Sequence, residues 1–147
     1  MNKSWKAVAL VWLPISLVAL LGCSKSNSAT APAEEAEPEP VARTEFTDRI
    51  ENFFEYEPLH QGKPSQFRVH LTDLSDGSPV EKAEVSLTVR HRGGGATVTQ
   101  TTAKIGKVTG IYVAELNVPK AGEYDIEFHI KNARLDERLA LTDFKVE

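Results

Sequence analysis

The side chains with the clearest capacity for chemistry are four histidines, His60, His70, His91 and His129. Neutral imidazole binds zinc and copper, and metal sites commonly place two ligands a few residues apart. No two of these histidines have that spacing, and the only methionine, Met1, offers no thioether cluster for copper. The pattern therefore favours solvated histidines, with a metal site at His70, His129 or His91 as the alternative.

Other residue types show no catalytic arrangement. Gly93–Gly95 lacks the Gly-Lys-Ser/Thr ending of a phosphate-binding loop, and the chain has no Gly-x-Ser-x-Gly nucleophile elbow. Glu55 and Glu57 share one face of a predicted strand, where two carboxylates usually form a solvated surface. We therefore expect no enzyme activity and no bound cofactor.

The single cysteine, Cys23, ends an N-terminal export pattern. Lys3 and Lys6 precede an apolar run at 7–21, and Gly22 stands directly before the cysteine. Charge, a short apolar stretch and a small residue are the order of a cleaved signal peptide. The run is shorter than the ~20 residues that span a bilayer. Residues 1–22 are therefore predicted to be removed.

The sequence Leu20-Leu21-Gly22-Cys23 resembles the lipobox of bacterial lipoproteins. This resemblance implies that Cys23 becomes the acylated first residue and anchors the protein in the membrane, since stable anchoring takes about two acyl chains. Ser24 stands where the family's inner-membrane retention signal would be Asp, which favours the outer membrane, facing the periplasm. With its only cysteine acylated, the mature chain forms no internal disulfide.

Residues 23–43 have the composition of a disordered tether. Ser, Ala, Pro and Glu dominate, and such a segment buries too little apolar surface to offset its ordering entropy. Loss of Lys3 and Lys6 leaves 17 − 2 = 15 basic against 21 acidic residues, a formal charge of about −6. An acidic surface argues against nucleic acid as a partner.

Residues 44–147 are predicted to form one domain with a two-residue hydrophobic period. No long window has a helical period, and turn residues separate about seven strands. These features are typical of an immunoglobulin-like antiparallel β-sandwich. The Thr-rich segment 96–103 has the polarity of an edge strand. The predicted strands lie at about 50–56, 66–74, 85–90, 96–103, 112–118, 124–131 and 138–146.

A second pattern marks the turn before the sixth predicted strand. Gly110-x-Tyr112 is followed by Pro119-x-x-Gly122-x-Tyr124. Tyr124, just after the turn, has the position of a tyrosine corner. We therefore assign structural roles to Tyr112, Pro119, Gly122 and Tyr124. In this strand order His70 and His129 fall on different sheets.

Longer motifs resemble a module of periplasmic adaptor subunits that serve resistance-nodulation-division efflux pumps, particularly their heavy-metal branch. The matching stretch is Glu55-Tyr56-Glu57-Pro58-Leu59, Gly62-Lys63-Pro64-Ser65, Phe67-x-Val69-His70-Leu71-Thr72-Asp73-Leu74, Gly77-x-Pro79-Val80 and the Gly110 to Tyr124 pattern. Full adaptors continue into further domains, whereas this sequence ends with the sandwich. The chain is also similar to small periplasmic sandwich proteins of the YtkA/FixH type.

The resemblance implies a lipid-anchored, non-enzymatic interaction module beside envelope efflux or metal-resistance proteins. Two alternatives stay open. One is a periplasmic copper- or zinc-binding protein of the YtkA/FixH type, and the other is a structural lipoprotein without a dedicated partner.

Overall fold

The computed structural model describes residues 39–147, which form two antiparallel sheets. The predicted signal peptide, Cys23 and the tether up to residue 38 lie outside the described residues. No helix in the described part of the chain is long and apolar enough to span a bilayer.

The predicted all-β sandwich is confirmed, with nine strands rather than about seven. Sheet A has the order β1-β2-β3-β7-β6, and sheet B has the order β5-β4-β8-β9. The two strands beyond the prediction are β1 and β6, which lack a run of alternating apolar residues and pair through their backbones. The strands are β1 (Val41–Phe46), β2 (Ile50–Tyr56), β3 (Pro64–Asp73), β4 (Glu84–His91), β5 (Thr97–Thr102), β6 (Lys104–Ile105), β7 (Ile111–Asn117), β8 (Gly122–Lys131) and β9 (Asp136–Val146).

Strand β1 begins at Val41, three residues before the predicted boundary at Thr44. The guanidinium of Arg43 holds this polar segment against strand β9. Its Nη1 donates to the carbonyl of Thr142 at 3.1 Å, and its Cζ lies 5.0 Å from the centroid of the Phe144 ring. A cation over an aromatic face contributes about 0.5–2 kcal/mol. Arg43 thus joins the edge of sheet A to β9 of sheet B.

The core lies between the sheets and is filled by the inward-facing residues of each strand. The rings of Phe54 and Phe128, from opposite sheets, have centroids 4.8 Å apart. On sheet A, Tyr56 stacks on Phe67 with centroids 5.0 Å apart. Burial of one large apolar side chain contributes roughly 1.5–3 kcal/mol. This alternation explains why each strand keeps one face toward the core.

The topology brings two connections to the same end of the sandwich. One is the β3–β4 loop at 74–83, and the other is the β8–β9 turn at 132–135. The sequence predicts a charged loop from Asn132 to Arg138, but its last three residues belong to β9. Lys131 and Asp136 are paired in the ladder, so the connection is a tight turn.

One core position on β2 is polar. Asn52 is fully buried, faces inward between Ile50 and Phe54, and is opposite Glu45 and Leu71 on the neighbouring strands. Neither atom of its amide has a hydrogen-bond partner in the described part of the chain. A buried amide without partners lowers stability, because it loses its bonds to water.

We predict that Asn52→Leu stabilises the domain. The substitution replaces two unpaired polar atoms with methyl groups in a side chain of the same branching and should raise the free energy of unfolding by about 1–2 kcal/mol in urea titrations. Ser65→Ala is the matched control, since the buried Ser65 hydroxyl donates to Glu57 O at 2.6 Å. That control should lower stability by about 1 kcal/mol. A lower urea midpoint for Asn52→Leu than for the parent would contradict the prediction.

Candidate functional site

The structure does not bring the candidate metal ligands together. His70 lies on β3 of sheet A and His129 on β8 of sheet B, on separate sheets as the strand order predicts. His91 ends β4, where its ring stacks on Tyr124 with centroids 5.0 Å apart. Within residues 39–147, no group of three or more His, Cys, Asp or Glu residues is arranged to hold a metal ion. A metal site at these histidines stays a prediction from sequence.

Two of the histidines have local contacts that account for their positions. The ring of His70 meets Phe53 edge-on with centroids 5.2 Å apart. Nε2 of His129 lies 2.7 Å from Oδ1 of Asp136, and this hydrogen bond is the main reason that the pKa of Asp136 lies below its ordinary value. Both arrangements use the imidazole for packing or for a surface hydrogen bond.

The turn from Pro119 to Tyr124 has the geometry of a tyrosine corner. The hydroxyl of the buried Tyr124 donates to the carbonyl of Lys120 at 2.9 Å, four residues upstream. Gly122 has φ of +150°, and a Cβ there would lie 3.5 Å from the Tyr124 ring. Glycine therefore lets the turn adopt this backbone conformation beside the ring.

Tyr112 ties the core to the β3–β4 loop. Its buried hydroxyl donates to Val80 O at 2.7 Å and accepts the N–H of Ala83 at 3.0 Å. One side chain of β7 thus satisfies two backbone groups 29 and 32 residues away. Because buried backbone groups must be paired, this contact fixes the course of the loop.

The loop that Tyr112 holds forms one wall of a surface cleft of about 430 Å³. The opposite wall is the β8–β9 turn, and Asn132 joins the walls by donating from Nδ2 to Glu81 O at 3.0 Å. We call this feature the loop-end cleft. It is lined by Asp73, Ser78, Pro79, Val80, Glu81, Lys82, Asn132, Ala133, Arg134 and Leu135.

The buried carboxylate of Asp73 connects the two walls of the loop-end cleft. Oδ1 of Asp73 accepts from the hydroxyl of Ser75 at 2.6 Å and from its N–H at 2.9 Å, while Oδ2 accepts from Nη2 of Arg134 at 3.0 Å. The Ser75 hydroxyl, followed by the Ser75 amide and Arg134, holds the pKa of Asp73 below its ordinary value. The Asp73 side chain is only 4% exposed, whereas Arg134 is 68% exposed. A cation is thereby positioned at the mouth of the cleft.

Sequence reasoning identified only part of this cleft. Arg134 lies in the charged segment predicted from Asn132 to Arg138, and Asp73 lies in the motif from Phe67 to Leu74. The Asp73-x-Ser75 spacing is a local signal, because Asp commonly bonds the backbone two residues on. The pairing of Asp73 with Arg134, 61 residues away, depends on the sheet topology.

The fold places this protein in the class of two-sheet β-sandwiches with an immunoglobulin-like strand order. The model of the YtkA-like family matches residues 46–129, from the end of β1 into β8. The chain therefore belongs to the YtkA-like family. The YtkA/FixH-type resemblance is confirmed at this level, and the resemblance to efflux adaptors stays a prediction.

The remaining comparisons add little. No curated protein matches the chain. A solved structure, the ZirS C-terminal domain, is similar at 14% identity, over 97% of this chain and 87% of that chain, with a TM-score of 0.41. A similarity of that size carries no argument about this protein.

We predict unequal roles for the two tyrosine hydroxyls. Tyr112→Phe leaves two buried backbone groups unpaired and should lower the free energy of unfolding by about 2–3 kcal/mol. Tyr124→Phe is the matched control; it removes one partly buried bond and should cost about 1 kcal/mol. Urea unfolding measures both. An equal or greater loss for Tyr124→Phe would contradict the role given to Tyr112.

Proposed function

We propose that this protein is a lipid-anchored, non-enzymatic interaction domain on the periplasmic side of the outer membrane, and that it contacts a protein partner through the loop-end cleft. The observation that supports this most directly is the Asp73–Arg134 pair, which joins the two loops and leaves a cation at the mouth of the cleft. Membership of the YtkA-like family agrees with a domain that works outside the cytoplasm.

Preorganisation supports a binding role. Loops usually lose conformational freedom when they bind, and that loss weakens the complex. Here Tyr112 holds the β3–β4 loop, and Asn132 and Arg134 connect the β8–β9 turn to it and to Asp73. Arg49 adds a bond from Nη1 to the carbonyl of Arg134 at 3.0 Å. The cleft is therefore formed before a partner arrives.

The chemistry of the cleft suits a segment of polypeptide. Buried Val80 and Leu135 supply apolar lining, whereas Arg134, Lys82 and Glu81 supply charge. Protein interfaces combine a small apolar centre with a polar rim in this way. An Arg at such a position binds a carboxylate through paired hydrogen bonds. We infer a partner that offers an apolar side chain next to an acidic one.

Anchoring rests on the lipobox-like sequence before Cys23 and on the tether that follows it. A link to efflux or metal-resistance assemblies rests on the motif resemblance alone. We therefore define the partner by its chemistry: an envelope protein with an accessible segment that has acidic and apolar side chains.

The anchor is tested at Cys23. In cells fed radiolabelled palmitate, the parent chain should incorporate label and sediment with membranes. Cys23→Ser should lose the label, because no thiol remains to be acylated, and Ser24→Ala should keep it. Equal labelling of the parent and Cys23→Ser would contradict lipid anchoring.

The cleft is tested by crosslinking in intact cells. A photoreactive residue at Ala133 should capture a protein partner, and one at Lys145, which is 73% exposed and outside the cleft, should not. Arg134→Gln keeps a donor for Asp73 but removes the charge, so capture should fall about tenfold, equal to ~1.4 kcal/mol.

Arg138→Gln is the matched control, because Arg138 lies in the same hairpin and pairs with Glu127 outside the cleft. It should leave capture unchanged. Capture that is equal from Ala133 and Lys145, or equally reduced by both arginine variants, would rule out the cleft as the binding site. The palmitate result is independent of either outcome.

A further inference from the structure

Sheet edges expose unpaired backbone groups, and proteins usually protect them with charge, proline, bulges or short strands. Among the described strands, three of the four edges are protected by charged side chains or by a length of only two residues. Strand β1 carries Arg43 and Glu45 and follows Pro40. Strand β6 has two residues, one of them Lys104.

Strand β9 is protected in two ways. It carries five charged side chains along its length, from Asp136 to Lys145. Its register also shifts opposite Asp125, where Asp143 takes a positive φ of 69°. Such a bulge bends the strand and interrupts an edge.

Strand β5 is the exception. Its six residues, Thr97–Thr102, read TVTQTT, with no charge and no proline, and its bulge lies near the start of the strand at Val98. β-branched residues favour the extended conformation. The neighbouring outward positions on β4, Ser86 and Thr88, are also uncharged, and Thr88 is opposite Gln100. This edge has the composition of a strand that can accept another strand.

The backbone of β5 has a defined set of free groups. Ala103 donates its N–H to Val85 O, and Thr101 and Thr99 lie in register at the next two alternate positions. In an antiparallel ladder these alternate residues bond the neighbouring strand, and the residues between them point their backbone groups away. Gln100 and Thr102 therefore direct their N–H and C=O groups to the open edge, whereas Val98 lies in a bulge and has no partner residue on β4.

Apolar side chains lie on the same side of the sandwich. The chain runs directly from β5 into β6, which lies at the edge of sheet A. Strand β5 also packs against β7, the neighbour of β6. In and after β6, Ile105 is 65% exposed and Val108 is 61% exposed. Large apolar side chains left exposed beside the β5 edge are typical of an interaction surface.

We propose that β5 is an edge at which a second copy of this chain adds its own β5 in antiparallel orientation, so that two four-stranded sheets join across a two-fold axis. The register centred on Gln100 pairs Gln100 of one copy with Gln100 of the second copy. The backbone groups of Gln100 are free, so the two copies of Gln100 form the central hydrogen-bonded pair of this register.

A second copy is favoured because β5 is complementary to itself. Antiparallel self-pairing brings Thr, Val and Gln opposite one another, and no charge meets its like. An isologous contact also closes after two copies, so the edge is consumed and does not propagate.

The proposal is tested in the full chain in intact cells. In the symmetric register, Gln100→Cys places two thiols opposite each other within the distance that a disulfide allows. Mild oxidation should give a covalent homodimer. Ala140→Cys is the matched control, because it is an exposed position on the same outer face but on β9 at the far edge. The unsubstituted chain corrects for any disulfide through Cys23.

We expect several-fold more dimer from Gln100→Cys than from Ala140→Cys. Adding Thr102→Pro to Gln100→Cys should abolish the excess, since proline removes an outward N–H and leaves the bonds to β4 intact. Circular dichroism verifies that this variant folds, and the comparison of the two cysteine variants stands without it. Equal dimer from both cysteines, or a disulfide from Gln100→Cys to a different protein only, would overturn self-pairing. Neither result bears on the loop-end cleft.

Discussion

The packing of aromatic side chains between the two sheets is the contact on which the other features depend. Phe54 of β2 meets Phe128 of β8 at 4.8 Å, and Phe144 of β9 lies 6.4 Å from Phe54. This contact sets which face of each strand is inside, because a shift of one residue would turn every core side chain to solvent. The outward faces, the edges and the loop ends follow from that choice.

The core and the loop-end cleft are connected by single side chains. Tyr112 belongs to the core, yet its hydroxyl holds the β3–β4 loop at Val80 and Ala83. Asp73 is the last residue of β3, and its carboxylate reaches Arg134 of the β8–β9 turn. The loops are therefore held by groups whose positions the sheets determine. This explains how a surface cleft between loops can be preformed in a small domain.

The two sides of the sandwich differ in whether side chains close the gap between the sheets. On one side, Arg43 spans from β1 to Thr142 and Phe144 and closes the gap between the sheets. On the other side, β5 is uncharged and Ile105 is exposed. The closed side is part of the fold, whereas the open side retains the backbone donors and acceptors that another strand requires. A cleft at one end and an open edge at one side are separate surfaces, so one domain can use both.

The sequence by itself determined the all-β class, most strand positions and the turn at Tyr124, because these depend on local periodicity and turn chemistry. It did not reveal β1 or β6, since edge strands with few buried side chains carry no alternating pattern. Nor could it pair Asp73 with Arg134 or leave Asn52 unpaired in the core, because both depend on residues distant in sequence. The Thr-rich segment 96–103 predicted an edge strand, and the position of β5 at the edge of sheet B confirms it. Only the tertiary structure decided the cleft and what lies beside that edge, since both arise from which strands become neighbours.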